Sequence, residues 1–361
     1  MKYKCLSGSG ITELFLSLPR KLYSKSEITQ DEATERQILS GTHILSGSFS
    51  VFPFVVVNEN GEAVGRCALT CYADRDEAFL GFFECINDEE VCGIMFEEVF
   101  KCAAEQNKRK IIGPVDASFW IKYRFKIDNF DKKMYACEPY NKEYYANLWE
   151  KFGFEVCERY FSNQIRAPLE SDENKKCRQR FETMTKRGYT IENPNCENFT
   201  EKLYEVFSLL IKLYSGFPCF TVIDREQFGA MFSGLKYALN YDMVKLAYKD
   251  GELAGFSISL PDFGNASCGK ITLPKLLKIL RIKYFPKQFI NLYMGVGANH
   301  LGLGSMLAES IKHSLVEKKC SAVSALIHEG KVTGNYYNGE LSQFRYNYIL
   351  MSRELQSFQH S

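Results

Sequence analysis

Two segments of the chain follow the same order of predicted elements. Each begins with two strands around a tight turn, marked by Asn60-Gly61 in the first segment and Asp250-Gly251 in the second. A third apolar strand, a helix and a later strand follow each hairpin. Strands that alternate with helices predict a mixed α/β sheet, and the repetition predicts two tandem copies of one fold.

The predicted elements of the two copies match one to one. In the first copy the hairpin, third strand, helix and later strand are Phe52–Asp74, Ala78–Ile86, Val91–Asn107 and Lys110–Val115. In the second copy they are Val244–Asp262, Phe289–Gly297, Gly304–Lys319 and Ser321–His328, with further helices predicted at Asn198–Tyr214 and Pro274–Tyr284. The polar stretch Ala167–Lys175 separates the copies, so we predict domains at 1–168 and 169–361.

Composition narrows the classes of function. The 361 residues suit two domains, and 45 Lys and Arg against 44 Asp and Glu leave a net charge of +1, which argues against nucleic-acid binding. No apolar run approaches the roughly 20 residues of a membrane span. Thirteen cysteines without paired spacing, and a start without an apolar leader pattern, predict a cytoplasmic protein. The five histidines are scattered, so we expect no metal site.

A glycine-rich loop is the feature most suggestive of chemistry. In Ile290–Ile311 an apolar strand enters a loop that contains Gly295, Gly297, Gly302 and Gly304, and a helix follows at once. Glycines let a backbone approach a ligand closely, and the free N–H groups of a helix N-terminus attract anions. A diphosphate fits such a loop, and the lysine of an ATPase loop is absent. A strand-to-helix turn without a ligand is the alternative.

The second copy resembles the GNAT superfamily of acetyl-CoA-dependent N-acetyltransferases between Val244 and Leu355. In that superfamily a strand ends in a Gly-Val-type sequence, and an Arg/Gln-x-x-Gly-x-Gly/Ala loop opens a helix. Here Gly295-Val296 ends the strand, and Asn299 begins a loop that closes at Gly304. Asn299 departs from the usual Arg or Gln.

The first copy resembles the same superfamily through a later motif. The segment from Asn141 to Tyr144, followed by Leu148–Phe154, is similar to the family's Asn-x-x-Ala/Tyr helix and its Tyr-Glu-Lys-x-Gly-Phe end. Trp149 stands where the family has a tyrosine, and the acidic run Asp88–Glu90 would repel a phosphate. The resemblance therefore implies a tandem GNAT protein of the bacterial type, whose first domain has the fold without a CoA site.

The resemblance implies an acyltransferase that uses acetyl-CoA or another acyl-CoA as co-substrate and a small-molecule or peptide amine as acceptor. It implies a cofactor site composed of Met294, Gly295, Val296, Asn299, His300, Leu301, Gly302, Leu303, Gly304 and Ser305. Strand N–H groups at Met294–Val296 would polarise the thioester carbonyl. The candidates for proton transfer are Tyr336 and Tyr337 as acid, and His328 and Glu329 as base.

Two other functions remain open. One is an aminoacyl-tRNA-dependent transferase that resembles peptidoglycan-bridge enzymes, and the other is a non-catalytic CoA or ligand sensor. A basic run without acidic residues precedes the loop strand and comprises Lys270, Lys275, Lys278, Arg281, Lys283 and Lys287. It is consistent with a solvated helix face, with binding of the CoA 3′-phosphate or an anionic acceptor, or with a membrane surface.

Overall fold

The computed structural model of the chain describes residues 2–172, 175–266, 268–269, 271–336 and 341–355. Tyr337 and Lys270, both singled out above, lie outside these ranges. The strands within them are β1 (Tyr3–Ser7), β2 (Phe49–Asn58), β3 (Ala63–Tyr72), β4 (Glu77–Cys85), β5 (Lys110–Gly113), β6 (Val115–Asp116), β7 (Lys122–Tyr123), β8 (Phe125–Lys126), β9 (Glu155–Ile165), β10 (Tyr189–Glu192), β11 (Val244–Lys249), β12 (Glu252–Pro261), β13 (Gln288–Val296), β14 (Ser321–His328) and β15 (Ser342–Glu354).

The α-helices of the described residues flank these strands. They are α1 (Thr12–Leu22), α2 (Glu32–Leu39), α3 (Glu89–Glu105), α4 (Tyr145–Lys151), α5 (Lys175–Lys186), α6 (Phe199–Tyr214), α7 (Arg225–Phe232), α8 (Leu235–Ala238), α9 (Leu273–Tyr284) and α10 (Leu303–Lys318). No helix in the described ranges combines the length and the apolar character that a bilayer crossing requires.

The predicted hairpins are confirmed. β2 pairs with β3 around Asn60-Gly61, and β11 pairs with β12 around Asp250-Gly251. Asp250 and Gly251 both have positive φ, 51° and 83°, as the two central residues of a tight hairpin turn require. The mixed α/β fold class is confirmed as well.

One continuous sheet joins the two halves of the described chain. Its strand order is β1-β2-β3-β4-β5-β15-β9-β14-β13-β12-β11-β10, and β8 pairs with β15 beside this path. From the centre of the sheet outward, each half has the same order of strands: a parallel pair and then a hairpin. The parallel pairs are β4 with β5 and β13 with β14.

Each half contributes its last strand to the other half. β15, from the second half, lies between β5 and β9, whereas β9, from the first half, lies between β15 and β14. Tyr348, Leu350 and Met351 of β15 are fully buried in cores that the first half helps to form. The predicted boundary at 168/169 stays a prediction, and a cut there would separate both strands from the sheets that they complete.

Candidate functional site

The predicted glycine-rich loop leads directly into α10. Gly302 precedes the first residue of the helix with φ of 95°, a conformation that residues with a Cβ rarely adopt. Within the described part of the chain, the backbone N–H groups of Leu301, Gly302 and Gly304 make no hydrogen bond. These amides lie at the positive end of the α10 dipole, so the turn is suited to bind an anion.

A cleft of about 640 Å³ lies over this turn; we call it the loop cleft. Besides the turn, its lining includes Arg180 of α5, Arg187 directly after that helix, and the side chain of Tyr336. Arg180 Nη1 donates to Ser305 Oγ at 3.1 Å, which holds the guanidinium beside the start of α10. Two arginines therefore add positive charge to the amide groups of the turn.

Six of the ten predicted cofactor residues belong to the loop cleft. Val296, His300, Leu301, Gly302, Gly304 and Ser305 line the loop cleft. Asn299 is exposed outside its lining, and Leu303 is buried in the core beneath the turn. The ring of His300 is held by a 2.8 Å hydrogen bond between Nδ1 and the Tyr189 hydroxyl.

A second cleft of about 310 Å³ separates β13 from β14; we call it the central cleft. The two strands pair in parallel only from Gln288–Asn291 with Ser321–Ser324, and beyond that point they diverge. Met294, Gly295 and Val296 line one wall of the opening, and residues 324–328 line the other. Val296 lines both clefts, so the loop cleft and the central cleft adjoin at this residue.

Irregularities in both strands accompany the divergence. The pairing of β13 with β12 shifts between Asn291 and Tyr293, and that of β14 with β9 shifts between Ser324 and Ile327. Leu326 has φ of 56°, and its N–H donates to the side-chain Oγ of Ser162, on the neighbouring strand β9, at 2.8 Å. Bulges of this kind bend strands and are frequent next to functional sites.

His328 ends β14 in the lining of the central cleft. Its Nε2 lies 2.6 Å from Glu158 Oε2 of β9, and its ring meets that of Tyr160 edge-on. A carboxylate on one ring nitrogen orients the imidazole and leaves the other nitrogen available to exchange a proton. Within the described residues, Nδ1 has no hydrogen-bond partner.

The other predicted catalytic residues lie elsewhere. Glu329 is exposed outside the lining of the central cleft, and its backbone N–H donates to Arg159 O at 2.9 Å. Tyr336 lies in the loop cleft, and its hydroxyl is only 2.1 Å from the position that a Cβ on Gly304 would occupy. Burial raises the pKa of Tyr336, so the hydroxyl keeps its proton. Tyr337 lies outside the described residues.

Arg124, from the first half, also lines the central cleft. It is 8% exposed, has φ of 90°, and its guanidinium lies over the rings of Tyr123 and Tyr160, with Cζ 3.6 and 4.1 Å from their centroids. Its buried Nε has no hydrogen-bond partner, and no acidic side chain of the described residues forms an ion pair with it. A buried cation without a counter-ion is costly and indicates an anionic ligand.

The corresponding opening in the first half is filled by its own chain. β4 and β5 also pair over three residues and then diverge, but β6 occupies the gap. A Cβ on Gly81 would lie 2.0 Å from the carbonyl oxygen of Val115, and the Phe82 N–H donates to the Asp116 carboxylate. At the start of α3, Asp88 accepts from the Glu90 N–H at 2.9 Å, so an acidic cap replaces a glycine turn.

Four residues were not predicted from the sequence: Arg124, Arg180 and Arg187, which line the clefts, and Glu158, which contacts His328. Glu158 is 170 positions from His328, and Arg180 is 125 positions from Ser305. The run of Lys and Arg in α5 was an available signal for the arginines. Arg124 and Glu158 had no comparable local signal, because their role depends on contacts across the two halves.

Comparisons with known proteins identify a partial relative in sequence and proteins of similar fold. No protein family model matches the chain. Protein YghO of Escherichia coli (strain K12) is 25% identical over 231 residues, which are 58% of this chain and 55% of that protein. The chain thus spans about half the length of the curated relative that it matches.

Two solved structures have a similar fold. A tandem GNAT protein from the clavulanic acid biosynthesis pathway superposes with a TM-score of 0.54 and 11% identity, over 98% of this chain and 99% of that chain. The glucosamine N-acetyltransferase region of a fungal multi-domain beta-N-acetylglucosaminidase superposes with a TM-score of 0.55 and 11% identity, over 98% of this chain and 38% of that chain. The resemblance inferred from the glycine loop is thereby confirmed for the fold: this chain has the tandem GNAT fold.

Proposed function

We propose that this protein transfers an acyl group from acyl-CoA to the amine of a small acceptor, with acetyl-CoA as the first donor to test. The observation that carries the proposal is that the two clefts adjoin at Val296. The loop cleft offers free amides and two arginines to a diphosphate. The central cleft offers a backbone edge and a His–Glu pair to a thioester and an amine.

Acyl-CoA would supply the thioester carbonyl that the amine attacks. The backbone of Met294–Val296 is the candidate donor of hydrogen bonds to the carbonyl oxygen. His328 is the candidate base that removes the amine proton, and Glu158 holds the ring in place. No covalent link to the protein is needed in this scheme.

Tyr336 has a different position from His328. Its protonated hydroxyl touches the start of α10, which favours a hydrogen bond to an anionic group of the cofactor in the loop cleft. We assign it that contact. The role of acid, which protonates the departing CoA thiolate, stays a prediction for Tyr336 and for Tyr337.

Arg124 defines the acceptor further. Its unpartnered Nε, its aromatic enclosure and its place in the central cleft support an acceptor that bears a carboxylate or similar anion beside its amine. Asn291 Nδ2, buried in the same lining, is a second donor without a partner. A planar guanidinium suits a carboxylate because it can donate two parallel hydrogen bonds.

The first domain, 1–168, would then act as a platform. The insertion of β6 between β4 and β5 and the acidic cap of α3 favour a domain without a CoA site of its own. That domain supplies Arg124 to the central cleft and Glu158 to the ring of His328 instead.

The test is calorimetric titration with acetyl-CoA. A Gly302→Glu/Gly304→Glu variant should lose detectable binding, since two carboxylates would enter the anion turn and one would meet Tyr336. The matched control is Gly10→Glu/Gly234→Glu, which adds the same charge at glycines with no atom within 4 Å of an added Cβ.

Retained affinity in the loop variant, or an equal loss in the control, would contradict the cofactor site. Release of CoA thiol from acetyl-CoA in the presence of a panel of amines then tests catalysis. Binding without thiol release for any amine or amino acid would favour a sensor over an enzyme.

A further inference from the structure

The outward face of α9 is apolar. Its large side chains at that face are between 40 and 71% exposed: Leu273, Leu276, Leu277, Leu280 and Tyr284. At 100° per residue these five positions occupy an arc of about 100°, a continuous stripe along the helix. The stripe continues into the flanking residues Ile271 and Phe285, which are 55 and 77% exposed.

The inward face of α9 is already satisfied. Ile282, on the side of the helix opposite the stripe, and Ile279, between Ile282 and the stripe, pack against the central core of the molecule. The helix therefore lies flat on the body of the protein with its most apolar face toward solvent. An isolated exposed leucine is common, but an aligned set of this size marks an interaction surface.

Cations border the stripe on both sides. Viewed down the helix axis, Arg281 and Lys278 lie beyond one edge of the stripe, and Lys283 lies beyond the other edge. No acidic residue occurs between Ala266 and Gln288. A second copy of this chain would bring like charges together on this face, whereas an anionic surface would complement them.

We propose that α9 is an interfacial helix that docks this protein on an anionic lipid bilayer. Leucine and tyrosine side chains would enter the headgroup–acyl boundary, while the bordering lysines and arginine would contact lipid phosphates. The proposal is independent of the acyl-transfer function. It connects to the site through the chain, because β13 begins four residues after α9 ends and carries the wall of the central cleft at its far end.

The test is co-sedimentation of the full chain with vesicles of phosphatidylcholine alone and of phosphatidylcholine mixed with phosphatidylglycerol. We expect binding to the mixed vesicles, weaker binding to the neutral ones, and a loss of this difference at high salt. Leu277→Gln/Leu280→Gln should lower partitioning into both by about tenfold or more. Lys278→Gln/Arg281→Gln should remove mainly the preference for anionic lipid.

The matched control is Ile44→Gln/Leu169→Gln, which changes two exposed apolar side chains far along the sequence from α9. It should bind like the unmodified chain, and thermal unfolding should show that all variants are folded. Absence of vesicle binding by the unmodified chain, or an equal loss in the control, overturns the proposal. So does self-association in ultracentrifugation that only the Leu277/Leu280 variant abolishes, because the stripe would then be a contact between copies.

Discussion

His328 obtains its chemical partner from the other half of the chain. The residue type and its place at the end of a strand made it a candidate base, but Glu329 was an equal candidate on the same grounds. The 2.6 Å contact with Glu158 distinguishes the two, because a carboxylate hydrogen-bonded to Nε2 fixes the orientation of the ring. Glu329, exposed at the turn, has no such support.

We expect His328→Gln to lower kcat by about 10²- to 10⁴-fold, the usual contribution of a positioned general base. Glu158→Gln should lower kcat less, because the ring loses the carboxylate that orients it. Glu329→Gln should behave like the unmodified protein in the same thiol-release assay. A large loss on changing Glu329 alone would transfer the role of base to that residue.

Arg124 shows how a single buried charge can report on a ligand. Arg124→Met should raise the acceptor KM by about ten- to a hundredfold, since a hydrogen bond to a charged group contributes about 1.5–3 kcal/mol. The affinity for acetyl-CoA should not change. Kinetics with paired acceptors, with and without a carboxylate, decide the case: equal loss for both acceptors would mean that the arginine is structural.

α5 illustrates what an element adds to a motif. The glycine turn alone supplies amides, but α5 packs against α10 and brings Arg180, and Arg187 just after the helix, to the same cleft. Because α5 buries only one face, the two arginines remain exposed beside the turn, where they can bind an anionic ligand.

Replacement of both arginines by glutamine should weaken acetyl-CoA binding by about tenfold, consistent with roughly 1.5 kcal/mol for a hydrogen bond to a charged group. The dependence of affinity on salt should also decrease. Arg178→Gln is the control on the same helix, because Arg178 pairs with Glu182 one turn away at 3.4 Å. Unchanged affinity in the double variant would remove α5 from the cofactor site.

The exchange of β9 and β15 makes the two halves interdependent. β15 pairs with β9 along most of its length, and Tyr348 of β15 donates to Glu138 at 2.9 Å, beside the buried Lys126–Glu138 pair. Burial raises the pKa of Glu138, so this carboxylate depends on Lys126 and its hydroxyl donor. Removal of β15 would expose that pair and several core side chains.

Fragments 1–168 and 169–361, produced separately, should therefore fail to unfold cooperatively and should aggregate, because each lacks a strand and exposes an edge. Co-production of both fragments should restore a soluble complex that binds acetyl-CoA. Cooperative unfolding of either fragment alone, followed by calorimetry, would show instead that the boundary separates independent domains.

Short-range information was enough for the two hairpins and for the glycine turn that precedes α10. Asp250-Gly251 defines its hairpin through local backbone preference, and Gly302 defines the start of α10 because few other residues tolerate its φ. The alternation of strands and helices likewise follows from residue periodicity. These features depend on residues a few positions apart, so they can be predicted from the amino-acid sequence.

Long-range packing accounts for the rest. The exchange of β9 and β15, the pairing of His328 with Glu158 and the enclosure of Arg124 join residues that are far apart in the chain. Local preference carries no record of which strand becomes the neighbour of which. Such contacts arise only when both halves bury their apolar faces together, and that folding step assembles the central cleft.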